Sequence, residues 1–193
     1  RDADGKYGDH GLTPAMRRIE SQLEHGRLVP DTEKFALKSP DRFKEKLAKL
    51  ISDEPDSDPE EIARRINDGI RYTYIFDDQG YSSGVMNTCD SLSGSGFKLN
   101  ERKNAWADET KPYKGVNTSW AEASSGTIFE VQVHTPASWE GKQASHDEYE
   151  VIGTPSSTPE ERKRAGDRQD EIFARVPFPP GIKEVPSYRA EGW

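Results

Sequence analysis

The chain has 193 residues, of which 32% are apolar and 32% are charged, and its formal net charge is −8. This suits one domain with a modest core, and the acidic balance argues against a general nucleic-acid binder or a membrane-surface protein, which are usually basic. No apolar run is long enough to cross a bilayer, and the single cysteine, Cys89, excludes a disulfide framework and a cysteine-rich zinc site.

Dipeptides that end in proline mark the starts of five helices. Ser, Thr and Asp side chains cap a first helical turn, and proline is tolerated at the first helical position. The pairs are Thr13-Pro14, Ser39-Pro40, Asp58-Pro59, Thr135-Pro136 and Thr158-Pro159. They predict helices over residues 14–26, 40–52, 59–67, 136–151 and 159–175, and the sequence also favours a helix over residues 81–93.

The helix predicted over residues 40–52 carries two neighbouring stripes. One is apolar and comprises Phe43, Leu47, Leu50 and Ile51. The other is cationic and comprises Lys38, Arg42, Lys46 and Lys49. Two interpretations of the cationic stripe stay open: a solvated surface relieved by nearby carboxylates, or a clamp for a polyphosphate.

Runs of β-branched and aromatic residues predict four strands, over residues 70–76, 97–106, 113–120 and 127–134. The last three follow one another closely and are predicted to be antiparallel neighbours. The tail from Val176 is too rich in proline for a helix or a central strand, so it is expected to lie extended across the domain. The mixture predicts an α+β fold.

The strand over residues 127–134 has one apolar and one polar face. Glu130, Gln132 and His134 alternate with apolar residues, which fits either a metal or nucleotide site or an edge strand with a solvated face. Asp68 stands where the third helix gives way to a strand. If these two strands are neighbours, Asp68 and Glu130 can hold Mg²⁺ between them while cationic residues neutralise phosphates, which is what phosphoryl or nucleotidyl transfer needs.

The chain resembles a known family in the order of its motifs. The order is Lys38 and Lys46, then Asp68 before a strand, then Tyr113-Lys114-Gly115-Val116-Asn117, then Glu130-Val131-Gln132-Val133, and then Glu140 and His146. It resembles the synthetase domain of RelA/SpoT alarmone synthetases, and most of all the small secreted actinobacterial nucleotide 3′-pyrophosphokinases of the Streptomyces type.

The resemblance implies a nucleotidyltransferase-like mixed sheet, largely antiparallel and flanked by helices. It covers about residues 36–175, within a single domain of residues 1–193 that adds an N-terminal helix at 14–26 and a Pro-rich tail at 176–193.

The activity that the resemblance implies is transfer of the β,γ-pyrophosphate of ATP to the 3′-hydroxyl of a purine nucleotide, with release of AMP. Asp68 and Glu130 match the catalytic residues and the ligands of Mg²⁺, which Mn²⁺ or another divalent cation can replace. The residues assigned to ATP are Lys38, Arg42, Lys46, Arg71, Lys103 and Lys114. Those assigned to the acceptor are Tyr113, which stacks on its base, and Asn117, Gln132, His134, Glu140 and His146.

One position departs from the family pattern. Ala36 stands where the family usually has the arginine that stacks on the donor adenine, so adenine recognition must be rebuilt, with Arg42 and Arg71 as candidates.

Two alternatives stay open: a toxin of the same fold that modifies adenine nucleotides or tRNA 3′ ends, and a non-catalytic nucleotide-binding module. The acidic charge weakens the tRNA version. The partners expected are therefore ATP and a purine nucleotide, with no membrane or nucleic acid, and a monomer is slightly favoured over an oligomer.

The first residues bear on location. The chain opens with Arg1-Asp2-Ala3-Asp4-Gly5 instead of an initiator Met, which is typical of a mature form after signal-peptide removal or of a trimmed chain. Together with the single cysteine and the resemblance, this leads us to expect an extracellular protein.

Overall fold

The structure is a computed structural model that describes residues 11–64, 66–154 and 156–193; the opening residues on which the expected secretion partly rests lie outside these ranges. The helices are α1 Leu12–Glu20, α2 Thr32–Phe35, α3 Pro40–Asp53, α4 Pro59–Arg64, α5 Tyr81–Gly94, α6 Pro136–Ala144, α7 His146–Gly153 and α8 Pro159–Phe173. The strands are β1 Arg27–Leu28, β2 Arg71–Ile75, β3 Phe97–Asn104, β4 Val116–Glu122, β5 Ile128–His134 and β6 Tyr188–Arg189.

The strands form one mixed sheet in the order β1-β2-β5-β4-β3-β6. The neighbours β2 and β5 run parallel, and the other pairs are antiparallel. The prediction that β3, β4 and β5 are consecutive antiparallel neighbours is therefore confirmed, as is the α+β class with a largely antiparallel sheet flanked by helices.

One face of the sheet is the core. Phe129, Val131 and Val133 of β5 are almost fully buried there, as the alternation predicts. Helix α1 lies over this face. The Tyr74 hydroxyl of β2 donates a hydrogen bond of 2.7 Å to the Met16 carbonyl of that helix. The buried apolar cluster extends from Ala15 to Val185.

The other face of the sheet is polar and follows from the strand register. Arg71 of β2, Glu130 of β5 and Ser119 of β4 are paired in one row. Because paired residues on neighbouring strands point to the same side of a sheet, their side chains share this face. The candidate site is built on it.

Most of the predicted helix starts are confirmed by cap geometry. Ser39 accepts a hydrogen bond from the Arg42 amide at the start of α3. Thr135 and Thr158 form reciprocal capping boxes at α6 and α8. At α4, the Asp58 carboxylate accepts from the Glu60 amide over 2.8 Å. Each of these side chains satisfies backbone donors that the first helical turn leaves without partners.

The first helix departs from the prediction at both ends. Helix α1 begins at Leu12 after Gly11 and ends at Glu20, six residues before the predicted end at residue 26. Thr13 is not its cap, because its hydroxyl lies 2.7 Å from the Tyr72 hydroxyl and is buried against the sheet. Thr13 therefore makes a tertiary contact with β2 instead of the helix cap that Thr13-Pro14 predicts.

The helix predicted over residues 136–151 is two helices. Ser145, with φ −99° and ψ 13°, ends α6 and precedes α7. Serine competes for backbone hydrogen bonds and favours helix ends over interiors, which accounts for the break. The helix predicted over residues 59–67 ends early, at Arg64, and Ile66 closes a turn onto the Ala63 carbonyl.

The tail is more structured than predicted. It contains a 3₁₀ turn at Ile182–Glu184, and β6 pairs with β3 to form one edge of the sheet. Asn104 holds the turn, because its side-chain amide donates to the carbonyls of Ile182 and Val185. The short elements β1 and α2 were not predicted either. The single-domain boundaries stay a prediction, and among the described residues no helix has the length and apolar character of a membrane span.

Candidate active site

Asp68 is the meeting point of three cations. It lies in the connection between α4 and β2, and its carboxylate is 2.5 Å from Lys46 Nζ, 2.9 Å from Lys38 Nζ and 3.1 Å from the Arg71 guanidinium. Only 15% of its side chain is exposed. Two members of the predicted cationic stripe thus converge on the predicted acidic ligand.

The three cations keep Asp68 ionised. Burial of this carboxyl group favours its neutral form, but hydrogen bonds and charges from Lys46 and Lys38 outweigh burial and lower its pKa to about 2. The side chain therefore carries a negative charge throughout the neutral range, as a ligand for a cation must.

Arg71 connects Asp68 to Glu130. Its Nε donates to Glu130 Oε2 over 2.6 Å while its terminal nitrogen reaches Asp68. The pKa of Arg71 is raised, because the attraction of the Glu130 and Asp68 carboxylates exceeds the effect of burial, which alone would lower it. Glu130 is also nearly buried, with 11% of its side chain exposed. The parallel pairing of β2 with β5 produces this contact, since Arg71 and Glu130 are register partners.

A second chain of contacts ends at the same oxygen of Glu130. The Gln132 side-chain amide donates to Glu130 Oε2 over 3.0 Å, and its carbonyl accepts from Lys142 of α6. Lys142 Nζ also lies 4.8 Å from the centroid of the Trp139 ring, a cation–π contact. Burial and the charge of Arg71 lower the pKa of Lys142 to about 8.

His134, which is buried, and Tyr113, which is partly buried, form a pair beside this chain. His134 Nδ1 is 2.9 Å from Ser138 Oγ, and its Nε2 is 3.1 Å from the Tyr113 hydroxyl. That hydroxyl donates to Asn117 Oδ1 over 2.8 Å. Burial lowers the pKa of His134 well below its usual range and raises that of Tyr113 well above. Both side chains are therefore neutral at pH 7 and act through hydrogen bonds.

The structure brings together eight of the predicted site residues: Lys38, Lys46, Asp68, Arg71, Tyr113, Asn117, Glu130 and Gln132. His134 joins them through Tyr113. These residues come from the α2–α3 connection, α3, β2, β4 and β5 and the segments just before the strands. The polar face of one sheet region therefore carries both the predicted catalytic pair and much of the predicted clamp.

Three predicted ATP residues lie outside this cluster. Arg42 pairs with Glu150 of α7. Lys103 is on the same face of the sheet but forms a salt bridge of 3.0 Å with Glu101. Lys114 is buried under the tail, where its Nζ donates to the Lys111 carbonyl.

Two predicted acceptor residues are also outside the cluster. Glu140 is exposed on α6. His146 is exposed at the start of α7, with its Nε2 3.6 Å from Glu150 Oε1.

Two residues that contact predicted site residues have no place in the sequence prediction. Lys142 reaches Gln132, and Glu150 engages Arg42. A signal for Lys142 existed: it is four residues after Ser138, so the two share one face of α6, and that face meets the polar row of β5. Glu150 could not be found this way, because its contact depends on how α7 lies relative to α3.

The acidic side chains of the site determine how it could bind a metal ion. The described residues contain no group of three or more His, Cys, Asp or Glu side chains arranged around a metal position. Mg²⁺ is commonly bound through one or two carboxylates together with substrate phosphates, instead of by an all-protein cage. Asp68 and Glu130, on either side of the Arg71 guanidinium, supply two such carboxylates. They fit a divalent ion that is bound together with a phosphorylated substrate.

The fold is similar to solved structures of small alarmone synthetases. Small alarmone synthetase 1 from Bacillus subtilis, bound to its product pppGpp, superposes with a TM-score of 0.52 at 15% identity, over 86% of this chain and 82% of that one. A GTP pyrophosphokinase family protein from Streptococcus pneumoniae gives 0.58 at 14% identity, over 86% and 81%. Small alarmone synthetase 2 from Bacillus subtilis gives 0.55 at 15% identity, over 84% and 83%.

A scan of protein-family models and a search of curated proteins find no match. At 14–15% identity, the structural likenesses show a shared fold. The fold expected from the sequence resemblance is thereby confirmed.

Proposed function

We propose that the chain transfers the β,γ-pyrophosphate of ATP to the 3′-hydroxyl of a purine nucleotide and releases AMP. The observation that carries the proposal is the convergence of Lys38, Lys46 and Arg71 on the Asp68 carboxylate. Arg71 joins this carboxylate to a second one, Glu130 of β5. The fold shared with small alarmone synthetases supports the same chemistry.

The three cations bind the donor phosphates. Each contacts a carboxylate that is itself largely buried, so its charge is oriented before substrate arrives. Phosphoryl-type transfers need in-line positioning and neutralisation of charge more than covalent catalysis by the protein. Lys38 and Lys46 are placed to stabilise the charge on the transferred pyrophosphate and on the leaving AMP.

Glu130 accepts the proton of the attacking hydroxyl. The acceptor 3′-oxygen forms a bond to the β-phosphorus, the bond from that phosphorus to the oxygen bridging to the α-phosphorus breaks, and AMP leaves with that oxygen. Arg71 and Gln132 both bind Glu130 Oε2 and fix the carboxylate in one orientation. Lys142 in turn holds Gln132.

Asp68 and Glu130 are the residues that would hold Mg²⁺ or another divalent cation. When bound with ATP, the cation would neutralise phosphate charge and increase the acidity of the acceptor hydroxyl.

Tyr113 receives the acceptor base in this proposal. Its hydroxyl is fixed by Asn117 and His134, and its ring meets those of His134 and Phe173 edge-on. A ring fixed by these contacts has little freedom left to lose, so a base stacks on it at low entropic cost. Stacking on one face accepts either purine, so selectivity between them must come from hydrogen bonds to the base edge.

The test is a metal-dependent assay for AMP. The chain is incubated with ATP, Mg²⁺ and a panel of acceptors: adenine nucleotides, guanine nucleotides and tRNA. We expect AMP and a 3′-pyrophosphorylated mononucleotide, with at least a 100-fold loss for Glu130→Gln. Glu101→Gln is the matched control, because Glu101 lies on the same face of the sheet and pairs with Lys103 instead of with the site.

Two other outcomes of this assay would each indicate a different function. Modification of tRNA in place of mononucleotides would identify a toxin-type activity of the same fold. Absence of AMP with every acceptor would leave a nucleotide-binding module and refute the proposed transfer.

Two further expectations come from the sequence and stay proposals. We propose that the protein acts outside the producing cell, which fractionation of a culture checks through the share of the protein in the medium. We also propose a monomer, which sedimentation equilibrium checks directly.

A further inference from the structure

An open cleft of about 670 Å³ lies beside the cluster of Asp68, Arg71 and Glu130. This base cleft, as we name it, has one wall from α3 and the α4–β2 connection and another from the β4–β5 hairpin and the end of the tail. Its main apolar lining residues are Phe43, Ile66, Ile128 and Trp193. Ligand sites for small molecules commonly have volumes of about 300–1,000 Å³ and mostly apolar walls.

The cleft is continuous with the charged cluster through the chain itself. Gly69 lines the cleft and directly follows Asp68. Ile128 is two residues before Glu130 in β5, so both side chains leave the same face of the strand. Phe43 is three residues before Lys46 on α3, and these positions are neighbours on a helix surface. An apolar cleft and a cationic cluster therefore share one edge.

Gly69 keeps the cleft open at its junction with the cluster. A Cβ atom at this position would lie 3.5 Å from the Phe43 ring, which is ordinary contact distance, so a larger side chain would extend into the cleft. The Phe43 ring thus faces the space directly beside Asp68, and Trp193 lines the same cleft from the tail.

A ligand that fills both regions must be flat and apolar at one end and polyanionic at the other. A nucleoside triphosphate has this form. We propose that the base cleft holds the purine base of the donor ATP, with Phe43 and Trp193 supplying aromatic surface, while the phosphates extend to Lys38, Lys46 and Arg71. The proposal rests on the proposed function and adds a base subsite to it.

The two arginines proposed for adenine recognition support this assignment, because the guanidinium group of each is already held by carboxylates. Arg42 pairs with Glu150, and Arg71 binds both catalytic carboxylates. Ala36 is buried and presents no flat surface. With Tyr113 assigned to the acceptor base, the cleft supplies a second aromatic surface beside the cluster, from Phe43 and Trp193.

The experiment compares ATP with inorganic triphosphate, which carries the same kind of anion without a base. Binding of each, with Mg²⁺ present, is measured by calorimetry for the wild-type chain, Trp193→Ala, Trp193→Phe and Phe43→Ala. Tyr149→Ala is the control, because Tyr149 is an exposed aromatic residue on α7 outside the cleft. Circular dichroism melting checks that each variant folds.

We expect Trp193→Ala and Phe43→Ala to weaken ATP binding about tenfold, the usual size of one lost stacking contact, and to leave triphosphate binding within twofold. Trp193→Phe should keep most of the affinity. If Phe43→Ala fails to fold, the comparison of Trp193→Ala with the wild type is enough to test the subsite.

Two results would overturn the subsite while the proposed function stands. One is ATP binding by Trp193→Ala within twofold of wild type; the other is an equal loss for ATP and triphosphate, which would place the effect on the phosphates. A wild-type chain that binds neither compound would refute the proposed function itself and the subsite with it.

Discussion

Arg71 and Glu130 face each other across the parallel pair β2–β5, with Arg71 Nε 2.6 Å from Glu130 Oε2. The same guanidinium reaches Asp68, so one side chain links the two carboxylates that we propose to be catalytic. A guanidinium does this because its nitrogens form a rigid planar fork, whereas a lysine ammonium is a single flexible point charge. The geometry of the site thus depends on an arginine at this position of β2.

Arg71→Lys should therefore lower kcat/KM for pyrophosphate transfer by at least about 30-fold, although the positive charge is kept. The lysine can neutralise one carboxylate but cannot orient two. Steady-state AMP release measures the effect, and Arg164→Lys on the exposed surface of α8 is the control. A loss of less than threefold would show that Arg71 supplies charge alone.

Gly115 determines where the Tyr113–His134 pair lies. A Cβ atom there would be 2.7 Å from the Tyr113 hydroxyl and 2.8 Å from His134 Cε1, closer than side chains tolerate. Gly115→Ala should therefore displace the pair, destabilise the fold by about 1–3 kcal/mol and raise KM for the acceptor more than for ATP. Urea unfolding and two-substrate kinetics measure these changes.

The matched control is Gly166→Ala in α8, where an added Cβ meets nothing within 4 Å. Since alanine favours a helix interior by about 0.5–1 kcal/mol over glycine, this variant should be slightly more stable than wild type. Equal effects of the two substitutions would contradict the steric argument for Gly115.

Lys142→Met should stabilise the protein at pH 7 more than at pH 10. Burial, together with the charge of Arg71, lowers the pKa of Lys142 in the folded chain to about 8, against 10.5 in the unfolded chain. Below pH 8 the amine is protonated in both states and the fold bears the full cost of burying the cation, at most about 3 kcal/mol. Between pH 8 and 10.5 the folded state loses this proton first, so the stability of the wild type rises with pH in that window.

Urea unfolding of both proteins at pH 7 and pH 10 measures the difference. Loss of the contact with Gln132 reduces the gain from Lys142→Met at either pH, but the gain should still shrink as pH rises. Lys163→Met, on the exposed face of α8, provides the control and should show no such trend. A stability difference for Lys142→Met that does not change with pH would contradict this account.

Local features of the fold could be predicted because they depend on neighbouring residues. Ser39 and Thr135 cap helices through contacts within one turn, and the alternation in β5 follows from strand geometry. Thr13 shows the limit of this reasoning. Its hydroxyl contacts the hydroxyl of Tyr72, 59 residues away, instead of capping the helix. The short strands β1 and β6 were missed for the same reason: they exist through pairing with β2 and β3.

The site could be predicted in part. Asp68 and Glu130 were proposed as a pair on the condition that their strands are neighbours, and the alternation pattern does not specify which strands pair. The parallel pairing of β2 with β5 supplies that information. Lys142 was missed because the packing of α6 on the polar face decides its role, although its spacing from Ser138 was a usable signal.

The two carboxylates that we propose to be catalytic and the lysines that we propose to bind phosphate should differ in how much activity they control. Asp68 binds three cations, so Asp68→Asn leaves all three without their shared counter-charge and removes a metal ligand; we expect at least a 100-fold loss of kcat/KM. Lys46→Met leaves Lys38 and Arg71 in place, so the loss should be about tenfold and appear mainly in KM for ATP. Lys49→Met, on the exposed surface of the same helix, is the control and should stay within twofold. Asp68→Asn and Lys46→Met act on one contact of 2.5 Å, so their effects should not be independent. The loss of kcat/KM in the double variant should therefore be smaller than the product of the losses in the two single variants. Losses that multiply would show that Asp68 and Lys46 act on separate steps.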